Sequence, residues 1–430
     1  MKEPVRSLVL ATTITTTMVQ FSTDQTFHYE IIRLLGLASY GGADVGEVLA
    51  SADEITPGDF ESFYTAFNKR GDHIVSQIEQ MRNPISIRDA SFRAATYFRL
   101  ADQYIHGNWN DPRIPELWDK QTKCFDRANS LLTIPGERRT LPATTAAGVN
   151  FNIHMIFFAA SKDTSVKRPT ILMGGGLDGA MEELFHVHGI AALERGFNVV
   201  CFDGPGQVLT RRSQGLGYIL EWERVVSPIL DHLETLPNVD TSKTGLIGYS
   251  LNALLCTRAA AFDHRLAALF CIDAIYDMSL SPVVTKLQQF LHYRFPNGDA
   301  DVTDASLQAL YTDRAVPTQL RWGVSHGTWA TNVKSPFEFM EMYGHFTLAG
   351  KDGSGSSSIV KNIRCPVLVC DAEQDHFFVG QGPKLMAELG DDIATYKLFT
   401  DDDAAAQHCH LGAARYCNQV IYDWFEEKVL

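Results

Sequence analysis

Two periodicities divide the chain. Between about Thr26 and Leu132, apolar residues recur three and four positions apart, as in Phe60, Phe63 and Phe67, through Arg93 to Phe98, and from Trp118 through Leu131. That spacing stacks them on helix faces and predicts an all-helical unit. From about Thr140 the pattern changes: Gly148 to Phe158 partly alternates and is rich in β-branched and aromatic residues, as a strand is. Further strands are predicted at Thr170–Met173, Asn198–Phe202, Thr244–Gly248, Leu266–Ile272, Pro366–Cys370 and Thr395–Phe399. Helices are predicted between them, near Met181–Leu193, over a long run near Tyr218–Leu236, and directly after Ser250. Strands alternating with helices imply an α/β fold with a mostly parallel sheet covered on both faces. The expected organisation is a disordered leader over 1–17, a helical lid over 18–135 and a catalytic α/β domain over 136–430. The stretch from Leu266–Ile272 to Pro366 reads only as variable, and Gly353 to Ser358 as a flexible loop.

Composition narrows the function classes. The 430 residues are 45% hydrophobic and 20% charged, which is ordinary globular usage. A net charge of −14 without a Lys/Arg stripe argues against nucleic acid. Eight cysteines sit mostly in apolar runs, as reduced core thiols do. Cys365 and Cys370 lie in one strand-like run with no second ligand pair, so no metal is expected. Lacking a spanning segment or a disulfide framework, the chain is expected to be a cytoplasmic protein without membrane partners.

Candidate chemistry enters at Gly248-Tyr249-Ser250-Leu251, which follows an apolar strand and precedes a helix. That context is the nucleophile elbow of the α/β-hydrolase fold, a strained turn that lifts a serine hydroxyl above the sheet edge. Asn252 stands where the usual pattern has glycine. An oxyanion hole needs backbone N–H groups aimed at developing charge, and the loop Gly174-Gly175-Gly176-Leu177 follows an earlier strand where a second donor belongs; Leu251 would supply the other. The acid is expected just past a later strand, at Asp375, with Asp273 as competitor. The histidine should come last: His408 follows the final strand, with His410 as the alternative. This order, Ser then Asp then His, fits the fold. Asp178 borders the proposed oxyanion loop and is a candidate for substrate binding, while Trp322 and Trp329 are candidates for an aromatic pocket wall, with core packing as their other reading. His186, His188, Arg211 and Arg212 are expected mainly at packing or surface positions.

A rival reading is a nucleotide site. Gly174-x-Gly176-x-x-Gly179 after a strand, with Asp203 ending the next, imitates a dinucleotide fingerprint, but Glu182 and Glu183 open the following helix where a pyrophosphate would sit. A second rival is a non-hydrolytic condensing or cyclising enzyme using the same pocket.

The segments Phe27-His28-Tyr29-Glu30, Tyr40-Gly41-Gly42-Ala43-Asp44, Gly58-Asp59-Phe60-Glu61-Ser62, Phe202 to Gln207 and His408-Cys409 resemble the fungal polyketide-shortening hydrolases of naphthopyrone and melanin-type pigment synthesis. More distantly, the chain is similar to dihydroxypseudooxynicotine hydrolase. The resemblance implies an N-terminal helical domain closing over the sheet, a substrate pocket between the two, homodimers, no cofactor, and hydrolysis of a carbon–carbon bond beside a ketone in a small-molecule polyketide. Ester or thioester hydrolysis is the nearest alternative. Departures from the family pattern fall at Asn252 and at Val208, where the loop after Pro-Gly-Gln usually continues with glycine.

Overall fold

The computed structural model describes residues 19–350 and 358–430. The leader expected over 1–17 and most of the loop from Gly353 to Ser358 lie outside the described residues.

Among the described residues five α-helices come first: α1 (Gln25–Leu37), α2 (Val45–Ala52), α3 (Phe60–Ile78), α4 (Pro84–Ala101) and α5 (Arg113–Ser130). Four of their starts are set locally, because Asp24, Asp44, Asp59 and Asn83 each turn a side-chain oxygen onto first-turn amides. The periodic apolar faces meet in one cluster that includes Phe27, Ile31, Phe63, Phe67, Tyr97 and Phe98.

The sheet contains β1 (Glu137–Thr144), β2 (Asn150–Phe158), β3 (Arg168–Gly174), β4 (Asn198–Asp203), β5 (Val239–Tyr249), β6 (Ala268–Ile272), β7 (Val367–Ala372) and β8 (Ala394–Phe399). Their spatial order is β1-β2-β4-β3-β5-β6-β7-β8. Strand β2 runs antiparallel to both neighbours, and every pairing from β4 to β8 is parallel. Both faces are buried, and alternate side chains divide between them. Leu172, Val200, Leu246, Leu269 and Val367 enter one apolar cluster. Ile171, Val199, Ile247, Phe270 and Leu368 enter the other. This period of two under a continuous apolar run is what a doubly covered parallel sheet requires.

Helices α6 (Met181–Leu184) and α7 (Ile190–Glu194) replace the single predicted helix, joined through a wider π turn at Phe185–Gly189. The run predicted near Tyr218–Leu236 is shorter than its pattern. Helix α8 (Val208–Gln214) precedes that run, which is helical only over α9 (Glu223–Glu234). Between them, Gly217 runs so close to Thr331 that a Cβ would fall 1.9 Å from that residue's carbonyl oxygen. Helix α10 (Leu251–Phe262) follows β5. Among its described residues the variable stretch holds four α-helices, α11 (Pro282–Arg294), α12 (Asp304–Thr312), α13 (Thr318–Thr331) and α14 (Pro336–Gly344). Helices α15 (Gln381–Leu389) and α16 (Ala414–Val429) complete the cover. No helix among the described residues is long and apolar enough to cross a membrane.

Parallel strands place all their C-terminal ends on one edge, where α/β sheets bind ligands. Gly174 of β3 pairs with Gly248 of β5, so the loops after these two strands lie side by side. The loops after β6, β7 and β8 reach the same edge.

Candidate active site

The chain between β5 and α10 turns at Ser250, whose φ of 55° and ψ of −124° are strained for a residue with a side chain. The turn is tight enough to exclude larger neighbours. A Cβ on Gly248 would lie 2.3 Å from the Asn252 carbonyl oxygen, and one on Gly176 would lie 2.9 Å from Ser250 Cβ. Glycine at 176 therefore lets the loop after β3 rest directly against the serine. Residue 252 needs no positive φ, contrary to what its place in the motif suggests, since it lies within α10. Its side chain is fully buried and donates from Nδ2 to the Gly175 carbonyl.

Ser250 Oγ and His408 Nε2 are 2.9 Å apart, and His408 Nδ1 lies 2.8 Å from Asp375 Oδ2. Asp375 Oδ1 accepts the backbone N–H groups of Phe377 and Phe378 at 2.7 and 3.2 Å, which fixes the carboxylate just past β7. Both competing residues are present in a second layer. Asp273 Oδ2 lies 3.4 Å from the same His408 Nδ1 and accepts the Cys409 amide at 2.7 Å. Its Oδ1 is 3.0 Å from Nε2 of His410, which stacks on Phe399 behind the cavity wall. Although burial opposes the imidazolium, Asp375 holds the His408 pKa well above 6.5, with Asp273 assisting. The arrangement can take a proton from Ser250 at Nε2 while a carboxylate holds the N–H at Nδ1.

Gly176 and Leu177 line the cavity beside Ser250, and among the described residues their amides donate to no acceptor. Leu251, the first residue of α10, has no carbonyl one turn back within that helix. These are the three expected oxyanion donors, gathered at one place.

Asp178 also lines the cavity, but its carboxylate is engaged: Gln103 Nε2 reaches it at 2.6 Å, Arg33 at 3.0 Å and Arg99 at 3.3 Å. Arg33 further binds Glu183 at 2.6 Å and lies 3.4 Å from Glu30. Two arginines thus serve three carboxylates, of which Glu30 is buried and Asp178 and Glu183 are largely shielded. Burial, offset in part by Arg33, pushes the Glu30 pKa up to about 7. Against the same penalty, Arg33 and Arg99 hold Asp178 and Glu183 below the usual carboxylate range. Glu183 fills the helix start that a pyrophosphate would need, and Asp203 is fully buried, its carboxyl pushed up to about 8 by burial and by Glu182. Neither supports a nucleotide site.

Trp322 lines the cavity, whereas Trp329 does not. Trp329 is buried against His106 at 4.1 Å between ring centroids, with Arg211 and Arg212 over its ring. The expectation of a substrate-facing Trp329 is corrected on that ground. His186 and His188 are packing residues, bonded to the Tyr40 carbonyl and to Asn418. Within the metal-type cluster formed by Asp273, His408 and Cys409, His408 and Asp273 are already engaged with Ser250, Asp375 and His410.

The cavity has a volume of about 1380 Å³. Besides the catalytic edge, Tyr29, Glu30, Arg33 and Tyr104 enter from α1 and the turn after α4, and Met278, Val284, Trp322, Phe339 and Tyr343 from the helices between β6 and β7. Pattern reading assigned none of the first four a role. Tyr29 and Glu30 do stand in a segment that carries the family resemblance, which was the available signal.

Comparison with known proteins agrees with this architecture. Residues 171–417 match the model described as alpha/beta hydrolase family. The chain is similar to Hydrolase LUC6 of Fusarium sp, 29% identical over 93% of this chain and 96% of that protein. It is likewise similar to 20-hydroxy-prefusarin hydrolase FUS2 of Gibberella moniliformis, 29% identical over 82% of this chain and 83% of that one. Among solved structures, 2,6-dihydroxy-pseudo-oxynicotine hydrolase superposes with a TM-score of 0.64 at 17% identity, covering 92% of this chain and 95% of the other. AbyA5 does so with a TM-score of 0.58 at 19% identity, covering 90% and 94%. A sheet open along one edge, a serine on the strained turn after β5 and a family match across more than half the sequence agree: the chain belongs to the alpha/beta hydrolase family.

Proposed function

We propose that this hydrolase acts in fungal secondary metabolism, cleaving a carbon–carbon bond beside a ketone of a polyketide by a retro-Claisen reaction. The observation that carries the reading is the continuous chain Ser250–His408–Asp375, opening on a large cavity beside amides that have no other acceptor among the described residues. Ser250 Oγ attacks the ketone carbon as His408 Nε2 takes its proton. The resulting oxyanion rests on the amides of Leu251, Gly176 and Leu177. Collapse breaks the carbon–carbon bond, and the departing enolate takes the proton from His408. Water, deprotonated by His408, then releases the acyl group as a carboxylic acid and restores Ser250. The volume supports a bulky substrate, since it exceeds the roughly 300–1,000 Å³ of ordinary small-molecule pockets. FUS2, whose name designates a prefusarin hydrolase, supports the polyketide-like class.

The same relay performs ester and thioester hydrolysis, so products decide between them. Purified enzyme is expected to convert a β-diketone polyketide into a carboxylic acid and a ketone, with one solvent oxygen from ¹⁸O water in the acid. Intact β-diketones alongside rapid ester turnover would overturn the carbon–carbon assignment.

The doubled carboxylates yield a second expectation. In a serine triad with one acid, Asp→Asn lowers kcat by about 10⁴-fold because the histidine takes the wrong tautomer. Here Asp273 stays 3.4 Å from His408 Nδ1, so Asp375→Asn is expected to lose only about 10²-fold, and the double Asp273→Asn, Asp375→Asn variant about 10⁴-fold. In the wild type, kcat/KM should rise with pH through an apparent pKa above 6.5, because the base form of His408 is required. Asp375→Asn should move that limb downward. A full loss in the single variant would show that Asp273 shares nothing.

A further inference from the structure

The loop after β3 is held in an uncommon way: four of its consecutive backbone carbonyls are each captured by a buried side chain. Gly175 O accepts from Gln207 Nε2 at 2.9 Å and from Asn252 Nδ2. Gly176 O accepts from Tyr218 Oη at 3.0 Å. Leu177 O lies 3.2 Å from His326 Nε2 and 3.4 Å from Tyr218 Oη. Asp178 O accepts from Arg99 Nη2 at 2.7 Å. In a trans peptide the C=O of one residue and the N–H of the next point in opposite directions. Capturing Gly175 O and Gly176 O therefore fixes where the Gly176 and Leu177 amides point, and neither amide has another acceptor among the described residues.

His326 can serve only in one tautomer: Leu177 O can only accept, so the His326 proton sits on Nε2. Arg212 Nη2 touches Asp102 and lies 3.2 Å from His106 Nε2. His106 Nε2 lies equally near Asp102 Oδ2, at 3.2 Å, so at this nitrogen it meets a donor and an acceptor at once. With its proton on Nε2, His326 accepts at Nδ1 from His106 Nδ1, 3.1 Å away, which leaves His106 Nε2 to accept from Arg212. Running the chain the other way would set a lone pair of His326 against that carbonyl. Burial keeps both imidazoles neutral: it pushes His326 down to about 3, with His106 adding to the effect, and lowers His106 as well. Trp322 and Trp329 stack on the two rings and hold their planes.

We propose that Tyr218 and His326 are positioning residues for the reaction: Tyr218 orients the Gly176–Leu177 oxyanion peptide through Gly176 O, and His326, backed by His106, anchors the adjoining Leu177–Asp178 peptide through Leu177 O. The same device accounts for Asn252: its amide clamps the serine-bearing helix to the oxyanion loop, which a glycine would leave unjoined. This inference rests on Ser250 being the nucleophile.

The test compares Tyr218→Phe, His326→Leu and His326→Gln with the wild type and Ser250→Ala, using a p-nitrophenyl ester, a fluorophosphonate probe and a trifluoromethyl ketone. Tyr218→Phe removes one oxygen from a buried ring. It is expected to lower kcat and the labelling rate by about 10–100-fold, below the 10²–10³-fold of deleting a donor outright. KM should stay within about twofold, and trifluoromethyl ketone affinity should fall in parallel with kcat, because only the tetrahedral state uses the hole. His326→Leu should behave alike, while His326→Gln, which keeps a donor near the Nε2 position, should recover most of the loss. Unchanged kcat and labelling in Tyr218→Phe, or equal losses in Gln and Leu, would overturn the proposal while leaving Ser250 in place. Wild-type labelling that persists in Ser250→Ala would instead overturn the nucleophile assignment, and this inference with it.

Discussion

Ser250→Ala is expected to reduce turnover by about 10⁵-fold or more, the scale seen when a serine triad loses its nucleophile. The physical reason is specific to the geometry. His408 Nε2 would keep its place but have no hydroxyl 2.9 Å away to deprotonate, so the covalent route closes and only oxyanion stabilisation and binding remain. Alanine retains the Cβ, and the φ of 55° at this position is no harder for alanine than for serine, so the fold and Tm should not change. The measurement is kcat in parallel with fluorophosphonate labelling and a thermal melt. Residual turnover within tenfold of wild type would remove Ser250 from the mechanism. A collapse in Tm would make the loss a folding effect, and Ser250→Gly would then separate the two.

Breaking the buried ion network at Arg33 should have the largest effect on stability. Its guanidinium binds Glu183 at 2.6 Å and Asp178 at 3.0 Å, with about nine-tenths of the side chain shielded from solvent. Removing one partner of a buried pair costs about 3–5 kcal/mol, because the surviving charge stays desolvated without compensation. Arg33→Met leaves Arg99 alone to serve Asp178 and Glu183, at 3.3 and 3.5 Å. The expected result is a Tm lower by roughly 5–10 °C. Because Asp178 follows the oxyanion loop directly, kcat should fall as well. Arg33→Lys should recover little, since a point-like ammonium cannot span two carboxylates as a planar fork does. Calorimetry and ester kinetics check both parts; an unchanged Tm in Arg33→Met would show that the network contributes no net stability.

Much of the architecture was legible before any coordinates. Asn198–Phe202 matches β4 to within a residue because every position of that central strand is buried and Val199 to Phe202 is continuously apolar, and Thr395–Phe399 matches the edge strand β8 as closely, where burial is partial. The motif at Gly248–Leu251 was recognisable because a strained turn tolerates so few residue types. Helix limits were less legible where tertiary contacts intervene. The run from Tyr218 is periodic, yet its first residues are not helical, next to the point where Gly217 passes closely along the Thr331 backbone. The stretch before Pro366 showed no dominant pattern, since α11–α14 pack on one another, on the sheet domain and around the cavity, and no single face is apolar.

By itself, the order of residues determined the alternation of strands and helices, the serine on its turn after the apolar strand β5, and the chain order of serine, acid and histidine. Those features are local, or depend only on which strand precedes which loop. What it left open was pairwise and long-range. Asp375 stands nearer than Asp273 to His408, at 2.8 against 3.4 Å, only because the ends of β6 and β7 lie side by side. Trp329 turned out to support a buried histidine rather than face the cavity, and Tyr29, Glu30 and Arg33 reached the site from a helix more than two hundred residues before the serine. Asn252 shows the difference most plainly. In the motif it breaks a glycine rule, and in the fold its amide meets the Gly175 carbonyl, because β3 and β5 are neighbours in the sheet and separated in the chain.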